Sequence, residues 1–348
     1  MTELILTQPD DWHVHLRDGD MLQETVPATA RCFHRAIVMP NLVPPVTNAQ
    51  LAAEYQARIQ EAIPSGKSFT PLMTLYLTNR TTTEDIVTAK NSGVTAAKLY
   101  PAGATTNSDA GVASLQQLYP VFESMAEQNM LLLVHGEVTD CHIDIFDREH
   151  KFIEQHLQPI VETFPTLKVV MEHITTKEAV QFVSGASDIV GATITPQHLM
   201  LNRNDLLVGG IRPHNYCLPV LKRNTHQEAL QEAVCSGSRK FFLGTDSAPH
   251  EKHKKESDCG CAGCYSAWSA IELYAQIFDD LGVLDKLEGF ASHFGADFYG
   301  LPRNTTKIRL IQEEWTVPES ITLPNGEPIV PFHAGQVLQW KLDQAFSG

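Results

Sequence analysis

Short apolar runs alternate with longer segments of helical periodicity along most of the chain. The runs are rich in Val, Ile and Leu without strict alternation of apolar and polar residues, which is typical of parallel strands buried on both faces. They predict eight strands, at 4–16, 35–40, 69–77, 95–100, 131–135, 168–173, 189–195 and 240–246. The segments between them predict helices, among them 48–62, 112–128, 146–163, 176–183 and 219–234.

This alternation of strand and helix is the pattern of a (β/α)8 barrel, an α/β fold of the TIM-barrel type. We predict a single domain over residues 1–348, with the barrel over approximately 4–300. From about residue 302 prolines become frequent, so we expect the C-terminal extension, approximately 302–348, to be irregular and to lie against the barrel. No separate β-sandwich domain is expected.

The composition argues against nucleic acid and membranes as partners. The 348 residues carry 41 acidic and 26 basic side chains, a formal charge of −15, whereas binding to phosphates requires clustered Lys and Arg. The one basic run, 252–255, is expected to be a solvated loop. No apolar run approaches the roughly 18 residues of a membrane span, and the first residues do not resemble a signal peptide. We therefore expect a cytoplasmic protein.

Seven cysteines are an odd number in a chain too large to need disulfides for stability, so free thiols are expected. Four of them are expected to be small core residues: Cys32, Cys141, Cys217 and Cys235. The others, Cys259, Cys261 and Cys264, form half of a zinc-knuckle pattern whose fourth ligand is missing unless His253 supplies it. Their loop is either a third, structural zinc site or a loop over the active site.

Polar side chains stand where the predicted strands end, the place at which barrels of this type carry their active sites. They are His13, His15, Lys98, His135, His173 and Asp246. His13 and His15 are two residues apart on a strand, so both side chains point to the same side and can bind one ion. A single histidine near an apolar strand is more often a hydrogen-bonded core residue, but four histidines and an aspartate together fit the N and O ligands of zinc.

Lys98 lies inside the apolar run 94–100, where an ammonium group costs several kcal/mol unless it is paired, reaches solvent or becomes neutral. A side chain that extends to solvent is the purely structural explanation. A desolvated neutral amine could instead react with carbon dioxide to give a carbamate. That carbamate would act as a carboxylate able to bridge two metals.

Six motifs together point to one family: DWHVHLRDG at 11–19, MPN at 39–41, KLYPAGATTNS at 98–108, VHGE at 134–137, EHIT at 172–175 and GTDSAPH at 244–250. With these motifs the sequence resembles the dihydroorotases of the short, monofunctional bacterial type, in the amidohydrolase superfamily, over essentially the whole chain. The resemblance implies interconversion of L-dihydroorotate and N-carbamoyl-L-aspartate in pyrimidine biosynthesis, with a small molecule as the substrate. It also implies a homodimer.

The resemblance further implies two Zn²⁺ ions per subunit. The implied ligands are His13, His15 and Asp246 for the first ion, and His135 and His173 for the second. Carboxylated Lys98 and a hydroxide would bridge the pair, and Asp246 would accept and return the proton of the attacking water. The same ligands would also accept cobalt or manganese.

A pocket for an anionic ring is implied as well. The implied substrate-binding residues are Arg17, Asn41, Thr105, Thr106, Leu218, His250 and Ala262. Arg17, Asn41 and His250 would bind the carboxylate, for which a guanidinium is suited because it binds in a bidentate way. The loop 103–108, with its two threonines, would close over the substrate as a lid. Without the resemblance, Arg17 could form a surface ion pair, Asn41 a turn and His250 a solvated loop contact.

Two other functions share this pattern of residues. Hydantoinases, dihydropyrimidinases and allantoinases have similar metal ligands, but a ring without a carboxylate gives a buried Arg17 nothing to pair with. Those enzymes commonly build a β-sandwich from both chain ends, and only about ten residues precede His13 here. The second alternative is a non-catalytic scaffold of the same fold, which the intact set of ligands opposes.

Overall fold

The computed structural model describes residues 2–258 and 260–346. The chain begins with β1 (Glu3–Thr7), which lies outside the barrel, and then forms eight parallel strands that pair in chain order. These strands are β2 (Asp10–Val14), β3 (Arg35–Val38), β4 (Thr70–Tyr76), β5 (Ala96–Leu99), β6 (Leu131–Val134), β7 (Val169–Met171), β8 (Val190–Ile194) and β9 (Phe241–Leu243).

The barrel closes between β2 and β9, next to residues that carry the predicted chemistry. The Asp246 N–H donates to the His13 carbonyl at 2.9 Å, and the His15 N–H donates to the Ser247 carbonyl at 3.0 Å. A parallel bridge joins Val14 to Ser247. The predicted TIM barrel is confirmed, and its closure brings the ends of the first and last barrel strands together.

Helices cover the outside of the barrel. The α-helices are α1 (Leu22–Ala30), α2 (Ala49–Glu61), α3 (Thr83–Asn91), α4 (Tyr119–Glu127), α5 (Arg148–Phe152), α6 (Gln158–Thr163), α7 (Lys177–Gly185), α8 (Pro196–Met200), α9 (Arg203–Leu207), α10 (Asn224–Ser236), α11 (Lys252–Lys255), α12 (Ala270–Asp280) and α13 (Phe294–Tyr299). A π-helical turn, Ile153–Leu157, joins α5 to α6, so the predicted helix at 146–163 is one helical segment. In the described chain, no helix has the length and apolar character needed to cross a bilayer.

The predicted first strand, 4–16, is in fact two strands. Pro9 lies between β1 and β2 and has no N–H to donate, which favours a break in the strand at this point. β1 pairs with a strand of the extension, whereas β2 enters the barrel.

The extension is more regular than its prolines suggested. It contains β10 (Lys307–Thr316), β11 (Ile321–Thr322), β12 (Pro328–Ile329) and β13 (Val337–Leu342). β1, β10 and β13 form a three-stranded antiparallel sheet whose apolar residues Leu310, Leu338 and Trp340 are buried. Burial of alternate side chains stabilises these strands and fixes the sheet against the barrel. No separate β-sandwich domain is present in the described residues, as predicted.

Packed side chains fill the barrel at the end opposite the predicted ligands. Trp12 stacks on Tyr299 of α13, with ring centroids 4.4 Å apart, and Phe242 meets Trp12 edge-on. These rings belong to a buried cluster inside the barrel that also contains Leu133 and Val170. The predicted ligands therefore lie at the other end of the barrel, where the strands end.

Two local expectations were wrong. The basic run at 252–255 is the helix α11 and not a loop, although residues 252–254 are exposed as expected. Lys255 is buried, and its ammonium donates to the carbonyls of Tyr216, Cys261 and Gly263. Cys32 and Cys217 are buried and Cys235 is half-buried, but Cys141 is exposed. Cys141 follows β6 in a polar loop, outside the apolar layers that bury Cys32 and Cys217.

Candidate active site at the barrel mouth

His13, His15 and Asp246 converge at the C-terminal end of the barrel, and we call them the His-His-Asp cluster. Nε2 of His13 lies 3.4 Å from Nε2 of His15, and Oδ1 of Asp246 lies 3.4 Å from the first nitrogen and 3.1 Å from the second. Tetrahedral ligands at the usual zinc distances of about 2.0–2.2 Å are about 3.3–3.6 Å apart. The three atoms therefore have nearly the spacing of ligands to one ion, and all three residues are buried.

His135 and His173 stand beside this cluster. The ring centroid of His173 lies 4.9 Å from that of His13 and 4.9 Å from that of His135. Nε2 of His135 lies 2.8 Å from a carboxylate oxygen of Glu137, so only its Nδ1 is left for an ion. Among the described residues, no group of three His, Cys, Asp or Glu ligands within 4.8 Å includes His135 or His173. A second ion here would need a ligand of another kind.

Lys98 on β5 is the candidate for that ligand. Its side chain is fully buried, and its Nζ has no hydrogen-bond partner among the described residues. Burial lowers the pKa of Lys98 from 10.5 to about 8, although the carboxylates of Glu172 and Asp246 act in the opposite direction. The side chain does not extend to solvent, so the purely structural explanation is wrong. A neutral amine is accessible a little above neutral pH.

The outer nitrogens of the two clustered histidines are held by neighbouring side chains. Nδ1 of His13 lies 2.8 Å from Oε2 of Glu172, and the Thr193 hydroxyl donates to the same oxygen at 2.7 Å. Nδ1 of His15 lies 2.8 Å from Oδ1 of Asn41. Such partners fix the ring orientation and leave Nε2 free for a metal. The sequence analysis missed Glu172, although a carboxylate at the end of a buried apolar run is a signal that could have identified it.

Asp11 holds the closure of the barrel and was also missed. Its carboxylate accepts the N–H of Thr245 at 2.9 Å, the Thr245 hydroxyl at 2.6 Å and the N–H of His13 at 3.1 Å. Burial raises the pKa of Asp11 to about 7 in spite of these hydrogen bonds.

Gly244 lies close to the neighbouring strand β8. A Cβ at Gly244 would lie 2.7 Å from Cβ of Thr193, so this close approach requires glycine.

Burial also sets the protonation of the ligands. It lowers the pKa of His13, His15 and His173 below the usual range, and the charge of Lys98 acts in the same direction. These imidazoles are therefore neutral at neutral pH, the form that binds metals. Burial raises the pKa of Glu172 to about 7.

Three residues of the site have backbone conformations that residues other than glycine rarely adopt. The φ angles are 61° at Arg17, 41° at His173 and 45° at Asp246. Conformations of this kind cost of order 1–3 kcal/mol each and persist only where the surrounding structure holds them. Their occurrence at three predicted site residues is consistent with a functional demand on side-chain direction.

The substitution Glu172→Gln should weaken metal binding by about 10- to 100-fold, because an amide cannot hold His13 as a carboxylate does. Competition with a chromogenic chelator measures this affinity without any turnover assay. Glu84→Gln, the same change at an exposed position on α3, should leave the affinity unchanged. Equal affinities for the two variants would show that Glu172 does not support the metal site.

Arg17 and His250 line a cavity of about 420 Å³ together with Thr106. Nη2 of Arg17 lies 3.1 Å from Nε2 of His250, and Nε donates to the Pro249 carbonyl at 3.2 Å. The contacts of Arg17 in the described chain include no ion pair, and burial lowers the pKa of its guanidinium. The surface ion pair that the sequence alone allowed for Arg17 is therefore not formed. A half-buried guanidinium without a carboxylate is a suitable group for binding an anion.

Asn41 connects the His-His-Asp cluster to the loop 103–108. Its Nδ2 donates to the Thr106 carbonyl at 3.0 Å, while its Oδ1 contacts His15. The Asn107 side chain donates to the Asn41 carbonyl at 3.1 Å, and the Thr106 hydroxyl donates to the Ala262 carbonyl at 3.4 Å. The loop is therefore tied down across the mouth. Nδ2 of Asn41 has two hydrogens, so one remains for a substrate carboxylate while the other donates to the Thr106 carbonyl.

Replacing both Thr105 and Thr106 by alanine should lower kcat by about 10- to 100-fold without releasing metal, because the hydroxyls serve loop closure rather than ion binding. Steady-state kinetics together with metal analysis separates the two effects. Thr88→Ala, at an exposed position of α3, is the matched control. Full activity in the double variant would refute a lid role for this loop.

The remaining predicted contacts lie in two further loops. Ala262 is buried, and its carbonyl lies 3.0 Å from Nε2 of His250. Leu218 is half-buried and follows the buried Cys217. Residues 260–264 therefore contact the loop 103–108 and His250 through Ala262, as expected of a loop over an active site.

The third zinc site gains no ligand set from the described residues. Cys259 lies outside them, Cys261 and Cys264 are free thiols, and neither belongs to a group of three potential ligands within 4.8 Å. Nδ1 of His253 lies 3.1 Å from Glu327.

Comparison with known proteins shows the family of this chain. Residues 5–310 match the family described as the amidohydrolase family. Over 345 residues the chain is 71% identical to a dihydroorotase of Shewanella pealeana, covering 99% of this chain and 100% of that protein. The chain belongs to the dihydroorotase family. Membership makes it an enzyme, a hydrolase of the amidohydrolase type.

Solved structures of the dihydroorotase family share the fold over almost the full length. A crystal structure of dihydroorotase from Campylobacter jejuni has a TM-score of 0.90 and 37% identity, covering 98% of this chain and 97% of that one. Dihydroorotase from Saccharomyces cerevisiae in complex with 5-fluoroorotic acid has a TM-score of 0.92 and 34% identity, covering 99% of both chains.

Proposed function

We propose that the chain interconverts L-dihydroorotate and N-carbamoyl-L-aspartate as a zinc-dependent cyclic amidohydrolase of pyrimidine biosynthesis. The observation that carries the proposal is the convergence of His13, His15 and Asp246 beside the buried, unpartnered Lys98. Membership of the dihydroorotase family supports the same reaction.

The residues present fit two zinc ions. The proposed ligands are His13, His15 and Asp246 for one ion, and His135 and His173 for the other. As an ammonium, Lys98 is buried without a hydrogen-bond partner among the described residues. As a carbamate, it would give His135 and His173 an anionic third ligand. Two ions bound here would polarise the ring carbonyl and would make a bound water a nucleophile near neutral pH.

The proposal assigns proton transfer to Asp246. In hydrolysis its carboxylate accepts the proton from the water oxygen that bonds to the ring carbonyl carbon. When the ring C–N bond breaks, it returns that proton to the nitrogen. The hydrogen bond from its N–H to the His13 carbonyl keeps the carboxylate directed at the cluster.

The other proposed roles concern binding of the ring. Arg17, Asn41 and His250 bind the substrate carboxylate, and the ring of His250 is neutral because burial and the charge of Arg17 lower its pKa. Thr105 and Thr106 close the lid. Backbone groups of Leu218 and Ala262 contact the ring. A fixed carboxylate would hold the scissile amide in one orientation at the barrel mouth, so positioning and electrostatics would both lower the barrier.

We also propose that residues 1–348 act as one domain and that two chains form a homodimer. Leu207, Val208 and Ile211 are 53, 60 and 77% exposed on one short segment, which suits burial in a contact between protomers. Sedimentation equilibrium tests the oligomeric state, and a monomer at micromolar concentration would contradict it.

Turnover of L-dihydroorotate by the zinc-loaded protein, measured beside dihydrouracil, tests the reaction. Dihydrouracil keeps the ring amide but has no carboxylate. We expect selective hydrolysis of L-dihydroorotate. Turnover of dihydrouracil alone would support the metal chemistry but contradict L-dihydroorotate as the substrate. Turnover of neither compound would favour a non-catalytic scaffold.

A further inference from the structure

The loop after β6 carries a second group of metal-ligating side chains, separate from the His-His-Asp cluster. A carboxylate oxygen of Asp140, Sγ of Cys141 and a ring nitrogen of His142 all lie within 4.8 Å of one another. All three residues are exposed. We propose that Asp140, Cys141 and His142, the Asp-Cys-His site, bind a divalent ion of the zinc type.

The three ligand types decide which ion fits. Carboxylate, thiolate and imidazole are the side chains that zinc uses, and exposure leaves the fourth tetrahedral position to water. A thiolate disfavours magnesium and calcium, which prefer oxygen ligands. The proposed ligands at the barrel mouth are nitrogen and oxygen atoms only, so this site is chemically distinct from them.

The local backbone already brings the ligands together. The His142 N–H donates to Oδ1 of Asp140 at 2.8 Å, and the Ile143 N–H donates to the Asp140 carbonyl at 3.1 Å. One carboxylate oxygen of Asp140 remains for an ion. The Cys141 thiol is free, and within the described chain neither it nor the His142 ring forms a side-chain hydrogen bond or ion pair. Binding therefore breaks no existing side-chain contact.

The charge of the segment favours a cation. Residues 138–147 contain Asp140, Asp144 and Asp147 and no Lys or Arg, and Arg148 follows them. A local excess of carboxylates raises the concentration of cations near the loop. An ion bound here would fix the exposed loop that follows the strand leading to His135, and it would mask the Cys141 thiol.

Cobalt binding to the full-length protein, loaded with zinc at the barrel mouth, tests the proposal. A thiolate-to-cobalt charge-transfer band in the near ultraviolet reports on sulfur ligands alone. We expect this band to saturate at about one equivalent of Co²⁺. It should be lost in Cys141→Ser and need at least about tenfold more Co²⁺ in His142→Ala, with dihydroorotate turnover unchanged in both variants.

Residues 260–264, which we call the cysteine loop, supply the matched control, because Cys261 is a half-buried free thiol. Cys261→Ser should keep the band. If the band survives in Cys141→Ser and disappears in Cys261→Ser, the ion binds to the cysteine loop and the proposal is wrong. Absence of the band in the unsubstituted protein also overturns it.

Alkylation of Cys141 gives a second readout that needs no cobalt spectrum. Zinc should slow the reaction of Cys141 with iodoacetamide at least about tenfold, followed by mass spectrometry of its peptide. It should not do so in His142→Ala, and the half-buried Cys235 reports any general effect of zinc on alkylation. Equal rates with and without zinc would contradict the proposal. Neither readout depends on turnover, so failure here is distinguishable from failure of the proposed reaction.

Discussion

The Lys98→Met variant should lose at least about 10³-fold in kcat for L-dihydroorotate and should bind one equivalent of metal or less. Methionine keeps most of the buried volume but cannot form a carbamate, so the second pair of histidines lacks its third ligand. A 10³-fold loss corresponds to about 4 kcal/mol of transition-state stabilisation, within the range that metal catalysis supplies. Steady-state kinetics and metal analysis on the same preparation measure both effects.

The same substitution should make the metal-free protein more stable at pH 7. Burial lowers the pKa of Lys98 from 10.5 to about 8, so the unfolded chain binds this proton more tightly than the folded chain. The resulting destabilisation is fully present below pH 8 and disappears as the pH rises to 10.5. It amounts to about 3 kcal/mol. Between these two pH values the stability of the parent should therefore rise relative to that of Lys98→Met.

Urea unfolding of chelator-treated protein at pH 7 and near pH 10 tests this linkage. Lys67→Met, the same change at an exposed lysine, should show neither effect. If the metal-free Lys98→Met protein is less stable than the parent at pH 7, the buried ammonium forms interactions that offset the cost of its burial. Two bound ions with normal turnover would remove Lys98 from the site altogether.

The second large effect is expected at Arg17. Arg17→Met should raise KM for L-dihydroorotate by about 10- to 100-fold while leaving the metal content unchanged. Hydrogen bonds to a charged group contribute about 1.5–3 kcal/mol, and each 1.4 kcal/mol is a factor of about ten in affinity. Lysine keeps the charge but not the bidentate geometry, so Arg17→Lys should recover only part of the loss.

Arg58→Met is the matched control, since Arg58 is exposed and forms an ion pair with Asp18, the residue after Arg17. Its KM should stay within about twofold of the parent value. Turnover of a ring without a carboxylate should not distinguish Arg17→Met from the parent. An unchanged KM for L-dihydroorotate in Arg17→Met would place the carboxylate elsewhere.

Much of the fold could be predicted because its determinants are local. Buried parallel strands require continuous apolar runs, and those runs predicted seven of the eight barrel strands to within three residues at each end, while the first run joined β1 and β2. The break at Pro9 was missed, because only the pairing of β1 with β10 shows that the chain changes sheets there. The antiparallel sheet of the extension was missed for a related reason, since most of the chain separates β1 from β10 and β13.

The site, like the fold, has features that the sequence predicts and features that only the tertiary structure shows. The sequence determined which side chains stand at the strand ends, because the polar residues interrupt or terminate apolar runs. Barrel closure decided that His13 and His15 meet Asp246, more than 200 residues away, within 3.4 Å. Complete burial, visible only in three dimensions, excluded a solvent-exposed Lys98 and leaves its amine available for carboxylation.

The sequence by itself therefore determined the barrel, the family resemblance and the types of ligand, since each depends on residue types at fixed spacing. The tertiary structure decided which residues hold those ligands, namely Glu172 against His13, Asn41 between His15 and the lid, and Asp11 across the barrel closure. It also exposed Cys141 in a loop rather than in the core. The physical reason is that burial, pKa and hydrogen-bond partners depend on distances between residues remote in the chain, which local patterns do not encode.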